Sequence, residues 1–327
     1  ILDYRNIKPK MPHSAPVSSP KNEELFWVER IENFLVGAGL SQSLLYQFTG
    51  DQELKEFGQS AANILELKNP TRPETKYLVP RTLTKYIISA AENLKYADQV
   101  SIFGVGKSFH WAKNSSAEEH DDLVMVLAKK DAPRDEAFYL LKGVVERLLE
   151  ELGISEYWFD DMIASKKEEE LNLFHPYRIA EIKIGDQKIG VVGEINPALL
   201  ESIKIKSRMA AVEISFNQLW RLARSEAEYR PIGKYPAIIR DLAVLVPETI
   251  KTEELQNLIE QIGGSLLCDV DLFDYFQDEA MEETRQKSLA FHLVFQSPDR
   301  TLTDGEIEKI MERIAKAVEE KGWEVRK

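Results

Sequence analysis

The sequence predicts an α+β protein of two domains, on three observations. Its 327 residues exceed one ordinary domain. Over the first two-thirds, strand-like runs meet one another through short turns, as in antiparallel sheet rather than in βαβ arrays. From residue 229 the rhythm changes to strand, helix, strand, strand, helix, strand.

The elements follow in order. Residues 9–22 hold four prolines and three serines, which predicts a linker. Trp27, Val28, Ile31, Phe34 and Leu35 then recur at helical spacing. Short strands are expected at Leu44-Leu45-Tyr46 and at Ile64-Leu65-Glu66-Leu67. Leu83, Tyr86, Ile87, Ala90, Ala91 and Leu94 form a helical face entered after Pro80. Strands are expected over Val100–Phe109 and Leu123–Ala128. A helix runs from Ala137 to Leu148 and stops near Gly153. Ile179–Ile184 and Lys188–Ile195 flank Gly185-Asp186-Gln187 as a hairpin, and Met209–Ile214 closes the region.

In the last 99 residues, Ile238–Val246 reads as a strand, and Leu255, Leu258, Ile259 and Ile262 as a helix ending at Gly263-Gly264. Leu266–Phe276 and Ser288–Phe295 are two further strands. Thr303-Asp304-Gly305-Glu306 is a capping box, in which threonine accepts from a helix-start N–H and glutamate reaches back. It opens a helix buried through Ile307, Ile310, Met311, Ile314 and Val318. Trp323–Arg326 supplies a last strand. This order is the ferredoxin-like split βαβ unit.

Composition narrows the function classes. Hydrophobic residues make up 43% and charged residues 30%, as in a globular protein with a substantial core. The net charge of −13 opposes polyanion binding, because affinity for nucleic acid rests largely on cations meeting phosphates. The last domain shares this balance: residues 229–327 hold 20 acidic and 13 basic residues. Cys268 is the only cysteine, which excludes an intrachain disulfide and a cysteine-rich zinc site, so a reducing cytoplasm is the expected location. No run reaches the roughly 18 apolar residues of a membrane span. The opening Ile1–Arg5 has no signal-peptide pattern and no initiator methionine, so a fragment or a processed product is expected.

Several motifs invite chemistry that their surroundings do not support. Gly104-Val105-Gly106-Lys107-Ser108 lacks the earlier glycine of a phosphate loop, where Ser101 stands instead, and no helix start follows it. A strand with close backbone packing is expected. His110 and His120 lie near Glu118, Glu119, Asp121 and Asp122 without tight ligand spacing, which predicts a solvated acidic loop rather than a metal site. His175-Pro176-Tyr177-Arg178 offers a histidine with no evident orienting carboxylate, as in an ordinary loop. Arg230, Lys234, Tyr235 and Arg240 mix basic and aromatic side chains, a combination suited to RNA, though so small a cluster is common on any surface.

At these residues the chain resembles a family. Tyr229-Arg230-Pro231-Ile232-Gly233-Lys234-Tyr235-Pro236 and Arg240-Asp241-Leu242-Ala243-Val244 resemble the opening of a ferredoxin-fold anticodon-binding domain. Leu272-Phe273-Asp274, Lys287-Ser288-Leu289-Ala290 and Arg300-Thr301-Leu302-Thr303-Asp304 resemble its later signatures, in order. Upstream, Asn69-Pro70, Val79-Pro80-Arg81-Thr82-Leu83, Phe103–Phe109, His175-Pro176 and Ile189–Pro197 resemble the synthetase-like domain of bacterial-type phenylalanyl-tRNA synthetase β subunits. Leu2–Ile7 looks like the tail of the small domain before it.

The resemblance implies a class II synthetase-like antiparallel domain over residues 21–226, after a tail and linker in 1–20. An anticodon-binding domain over 229–327 follows. It implies a partner α subunit in an α2β2 heterotetramer, which uses ATP and Mg2+ on the α chain, and binding to phenylalanine tRNA. It assigns anticodon contacts to Asp274, Phe276 and Ser288, with Arg240, Tyr235 and Arg300 around them. Phe276 stands where the family usually has tyrosine; its ring can stack on a base but donates no hydrogen bond. Gln277-Asp278 replaces the usual Arg-Gly.

No catalytic residue and no metal ligand is expected in this chain. A working domain, as in single-chain organellar phenylalanyl-tRNA synthetases, needs an arginine beside a glutamate on a strand to neutralise the reacting phosphate. Arg30-Ile31-Glu32 lies on a predicted helix, Arg72-Pro73-Glu74 is loop-like, and no arginine closely follows Gly104-Val105-Gly106. The stretch that holds magnesium in the family would lie before Ile1. The other alternative is an interaction module that never touches RNA.

Overall fold

In the computed structural model the described residues are all but 1–3, 12, 14–16, 62–63, 113–115, 132, 134–135, 162–172, 225–232, 279–280, 282–283 and 327. Part of the expected linker and the Tyr229–Ile232 signature lie outside them. The chain divides into two compact units, Ile1–Ala227 and Glu228–Lys327.

The first unit is built on a seven-stranded sheet. In chain order its elements are α1 (Glu23–Gly37), β1 (Ser41–Gln42), β2 (Phe48–Thr49), α2 (Asp51–Glu56), β3 (Tyr77–Leu78), α3 (Leu83–Asn93), β4 (Gln99–Trp111) and β5 (Ala117–Lys129). Then come α4 (Glu136–Glu151), β6 (Tyr157–Asp161), β7 (Phe174–Ile184), β8 (Gln187–Ile195), α5 (Pro197–Ser202), β9 (Arg208–Ser215) and α6 (Phe216–Leu222). The sheet order is β1-β4-β5-β9-β8-β7-β6. Only the short β1–β4 pairing is parallel.

Side chains on successive strand positions point to opposite faces, so each strand feeds two cores. On one face Trp27, Ile31 and Leu35 of α1, Leu141, Val145 and Leu148 of α4, and Phe216 of α6 pack on Met125, Val212 and Ile182. On the other, Leu83, Tyr86 and Ile87 of α3 and Leu199 of α5 pack on Val124, Val126 and Ala211. Gly104 lets α3 approach: a Cβ there would lie 2.0 Å from the Tyr86 hydroxyl. That hydroxyl donates to the Ser43 carbonyl at 2.7 Å. The glycines of Gly104-Val105-Gly106 thus serve helix-on-sheet packing, as expected for a strand.

Four expectations are corrected. Leu44-Leu45-Tyr46 is not a strand; the pairing falls on Ser41–Gln42 and Phe48–Thr49 beside it, where the chain finds partners in β4 and β3. Of Ile64–Leu67, only Glu66 forms a bridge, to Tyr77. The acidic stretch Glu118–Asp122 is not a loop but the first half of β5, where Lys107 pairs with Glu119 (3.2 Å) and Asp121 (3.1 Å) across the ladder. His175 is likewise within β7 rather than in a loop, and its Nδ1 accepts the Tyr177 N–H at 3.2 Å.

The second unit runs β10 (Ile238–Pro247), α7 (Thr252–Gly263), β11 (Leu267–Phe276), β12 (Gln286–Phe295), α8 (Asp304–Glu320) and β13 (Glu324–Arg326). The sheet order β11-β12-β10-β13 is antiparallel throughout. Both helices cover one face, packing Leu255, Ile259, Ile307, Ile310, Ile314 and Val318 against Leu242, Val244, Leu289, Phe291 and Leu293. Among the described residues of this unit no helix covers the other, open face of the sheet.

Candidate nucleic-acid interface

The pairing register places residues on this open face. Leu289, Phe291, Leu293 and Phe295 of β12 point to the helices, so Ser288, Ala290, His292 and Val294 point away from them. Their β10 partners are Leu245, Ala243, Asp241 and Ile239. Their β11 partners are Phe276, Asp274, Asp271 and Asp269.

A bulge in β11 decides this arrangement. The register shifts between Leu272 and Asp274, so that Leu272 pairs with Phe291 and Asp274 with Ala290, leaving Phe273 as an extra residue. Without it Asp274 would oppose Leu289 on the helix side, since a one-residue slip exchanges the faces. The bulge therefore brings Asp274 and Phe276 onto the face of Ser288. Phe276 lies directly opposite Ser288. The floor between the strands is small, made by Ala243 and Ala290.

The extra residue has its own place. Phe273 lays its ring on His292, with centroids 3.8 Å apart and planes 9° from parallel. His292 Nδ1 in turn meets Asp241 Oδ1 at 2.7 Å. Sequence reasoning did not single out Phe273, His292 or Asp241 as a group. The period-two spacing of Ser288 and His292 was the available signal.

The other three expected residues lie elsewhere. Arg240 is on the helix-side parity of β10, opposite Leu293, and its Nη2 pairs with Asp304 Oδ1 at 2.5 Å at the start of α8. Arg300 grips Glu306 with two nitrogens, at 2.8 and 2.6 Å. The same carboxylate accepts the Thr303 N–H at 3.0 Å, which completes the capping box. The Arg300 hydrogen bonds, with those from Thr303, pull the Glu306 carboxyl down to about 2. Both arginines thus hold the N-terminus of α8. Tyr235 precedes β10, and its carbonyl accepts from Gln296 Nε2 at 2.6 Å.

The open face is acidic, with Asp241, Asp269, Asp271, Asp274 and Glu324 against Arg326. Such a face repels phosphate but suits base edges, whose amino and imino groups donate to carboxylates.

In the first unit several charged side chains pair internally. Arg81 Nε meets Glu213 Oε2 at 2.7 Å. Glu194, nearly buried, takes Arg178 at 2.5 Å and Arg208 at 2.9 Å. Asp122 accepts from the Ser108 hydroxyl at 2.5 Å. Burial, reinforced by Glu213, raises its carboxyl to about 6. These arginines are committed to carboxylates rather than presented to a triphosphate. Among the described residues no group of three or more His, Cys, Asp or Glu side chains could hold a metal ion. No helix among them is long and apolar enough to cross a membrane.

Comparison with known proteins adds the following. Residues 7–216 match the family model for the phenylalanyl tRNA synthetase beta chain CLM domain, and residues 233–326 that for the ferredoxin-fold anticodon binding domain. The chain is 29% identical over 327 residues to a phenylalanine–tRNA ligase beta subunit of Clostridium tetani. It is 32% identical over 330 residues to that of Bacillus licheniformis, and 29% over 329 residues to that of Bacillus subtilis. In each case 98% of this chain is covered, but only 40% of the relative's length. A pyrrolysyl-tRNA synthetase from Desulfitobacterium hafniense superposes with a TM-score of 0.48 at 15% identity, over 60% of this chain and 67% of its own.

Proposed function

The chain belongs to the phenylalanyl-tRNA synthetase β-chain family, and from that premise we propose that it reads the anticodon of phenylalanine tRNA and docks on a catalytic α subunit. The observation that carries the reading is the bulge that sets Asp274 and Phe276 on one open sheet face, with the buried Ser288 directly across from Phe276. There the Asp274 carboxylate accepts from a base edge, the Phe276 ring stacks on that base, and the Ser288 hydroxyl sits directly beneath. The same face carries more acidic than basic groups. Binding therefore rests on base contacts more than on phosphates and is weak outside the full assembly. Tyr235, Arg240 and Arg300 lie off this face, around α8 and the strand ends, where the two arginines stay accessible and can meet the tRNA backbone.

A shallow groove of about 620 Å³ supports the docking half of the reading. It runs along α1 and α4 over Phe34, Gly37, Ala38, Leu140 and Gly143. A Cβ added at Gly37 or Gly143 would meet nothing within 4 Å, so no contact within the chain requires glycine there. Gly143 lies inside α4, where glycine costs roughly 0.5–1 kcal/mol, which close approach by a partner's backbone would offset. Tyr139, Leu140 and Val36 are exposed beside it. We assign the α subunit to this groove, within an α2β2 heterotetramer in the cytoplasm.

ATP and Mg2+ belong to the α chain in this account. Two features of the first unit support this: Arg30 lies on α1 and pairs with Glu151, and Arg81, Arg178 and Arg208 are matched by Glu213 and Glu194. The chain alone is expected to give no phenylalanine-dependent pyrophosphate exchange; clear exchange would instead place it with the single-chain enzymes.

Filter binding tests the reading. The full chain should bind phenylalanine tRNA transcripts more tightly than transcripts altered in the anticodon, in a salt-sensitive way, and Asp274→Ala should erase the preference. Equal binding to every tRNA would support an interaction module instead.

A further inference from the structure

The open face carries a second aromatic position that the anticodon trio does not use. Phe273 is bulged out of β11 and remains 47% exposed although one side of its ring is packed flat on His292. Asp241 on the neighbouring strand meets the His292 Nδ1 at 2.7 Å, a contact that favours this ring orientation. An aromatic ring that is backed by a second ring, braced by a carboxylate and open on its outer side is a preorganised stacking surface. Among the described residues only His292 stacks on it, and an exposed ring costs solvation unless a partner covers it.

Its position matters. His292 and Ser288 are four residues apart on one strand and on one face, so the Phe273 ring lies about 13 Å from the Phe276 position. Between them the floor is Ala290 and Ala243, with no side chain large enough to block a chain of bases. The surround is Asp241, Asp271 and Asp274, which accept hydrogen bonds and repel phosphate. A flat, half-buried ring among acceptors fits an unpaired base, whose π-face stacks and whose amino groups donate.

We propose that Phe273, backed by His292 and Asp241, is a second base-stacking post that holds an unpaired nucleotide flanking the one read by Asp274, Phe276 and Ser288. This deepens the anticodon reading and rests on it. The post contributes stacking rather than sequence choice, because every base offers a π-face. His292 and Asp241 act as positioning residues that keep the ring in place.

The test uses the full chain and a phenylalanine-tRNA anticodon stem-loop carrying 2-aminopurine at one loop position at a time. Stacking on an aromatic ring changes the fluorescence of that base. With the unaltered chain, two separate loop positions are expected to respond. Phe273→Leu should remove the response at one and weaken binding about tenfold, while the other position still responds. Phe276→Leu should do the converse. Phe273→Trp should keep both, and His292→Ala should reduce the Phe273-dependent response only. Should Phe273→Leu fold poorly, the Phe273→Trp and His292→Ala pair still decides, since loss of stacking in the second without the first follows only from the post. If Phe273→Leu and His292→Ala leave every position unchanged while Phe276→Leu removes its own, the second post is refuted and the anticodon reading stands. If the unaltered chain binds no stem-loop, both fall.

Discussion

Phe276 lies directly across the strand pair from Ser288, and it does so only because Phe273 is an extra residue in β11. The bulge converts a strand that would have pointed Asp274 and Phe276 at the helices into one that presents them on the open face. The function proposed here therefore depends on a single irregularity of backbone register.

Phe276→Tyr is the first consequence to measure. The hydroxyl is added on an exposed ring, so stability should hold within about 0.5 kcal/mol. Affinity for the anticodon stem-loop should rise by a few-fold if the hydroxyl finds a base edge. Phe276→Leu should lower it by about 1–3 kcal/mol. Titration with the labelled stem-loop gives both values, and equal affinities for all three chains would remove Phe276 from the site.

The α8 cap gives a pH dependence. Glu306 has its carboxyl pulled to about 2 by Arg300 and Thr303, whereas an unfolded glutamate titrates near roughly 4.3. A depressed carboxyl stabilises the fold above its unfolded value, and that contribution fades as the pH falls from about 4.5 toward 2. Glu306→Gln lacks the charge at every pH. Its thermal midpoint should thus fall below that of the unaltered chain at pH 7, with the gap closing on acidification. A gap constant from pH 7 to 2 would show that the charge contributes nothing.

Gly104→Ala tests the packing of α3 on the sheet. The new Cβ would meet the Tyr86 hydroxyl at 2.0 Å and the Ser43 carbonyl at 2.7 Å. Displacing Tyr86 breaks its buried hydrogen bond as well, so a loss of about 2–4 kcal/mol is expected. Adding Tyr86→Phe should recover part of it, because the clashing oxygen is removed. Urea unfolding followed in the first unit separates these variants.

Leu140→Asp places a charge in the α1–α4 groove, on a side chain that is already exposed. It should leave folding and stem-loop binding unchanged but abolish co-purification with a matching α subunit. Unchanged co-purification would move the docking surface elsewhere.

Much of this architecture was legible in the sequence, and the exceptions have physical causes. The helices announced themselves through apolar stripes such as Leu83, Tyr86, Ile87 and Ala90, and the Thr303–Glu306 cap through its spacing. The βαββαβ order was readable because β10 and β12 alternate between a helix-facing core and an open face. The first half of β5 was hidden: Glu118–Asp122 reads as a solvated loop until Lys107 on the partner strand is known to neutralise it. β1 was hidden because two residues carry no periodicity. At the candidate site, resemblance supplied Asp274, Phe276 and Ser288, but composition argued against RNA. The sequence Asp271-Leu272-Phe273-Asp274 gives no sign of which residue is extra, so the Phe273–His292 stack emerged only from the register. The pairing of Arg240 with Asp304 and of Arg300 with Glu306 was equally hidden, because those partners lie 64 and six residues along the chain.

The central claim is that RNA meets the open face of the β11-β12-β10-β13 sheet. Methyl NMR of the full chain during titration with the phenylalanine-tRNA anticodon stem-loop tests it most directly. Ala243, Ala290, Leu245 and Val294 should shift, while Ile259, Ile262, Met311 and Ile314 beneath the helices stay still. Shifts confined to the helix-side methyls, with the alanine floor silent, would contradict the account.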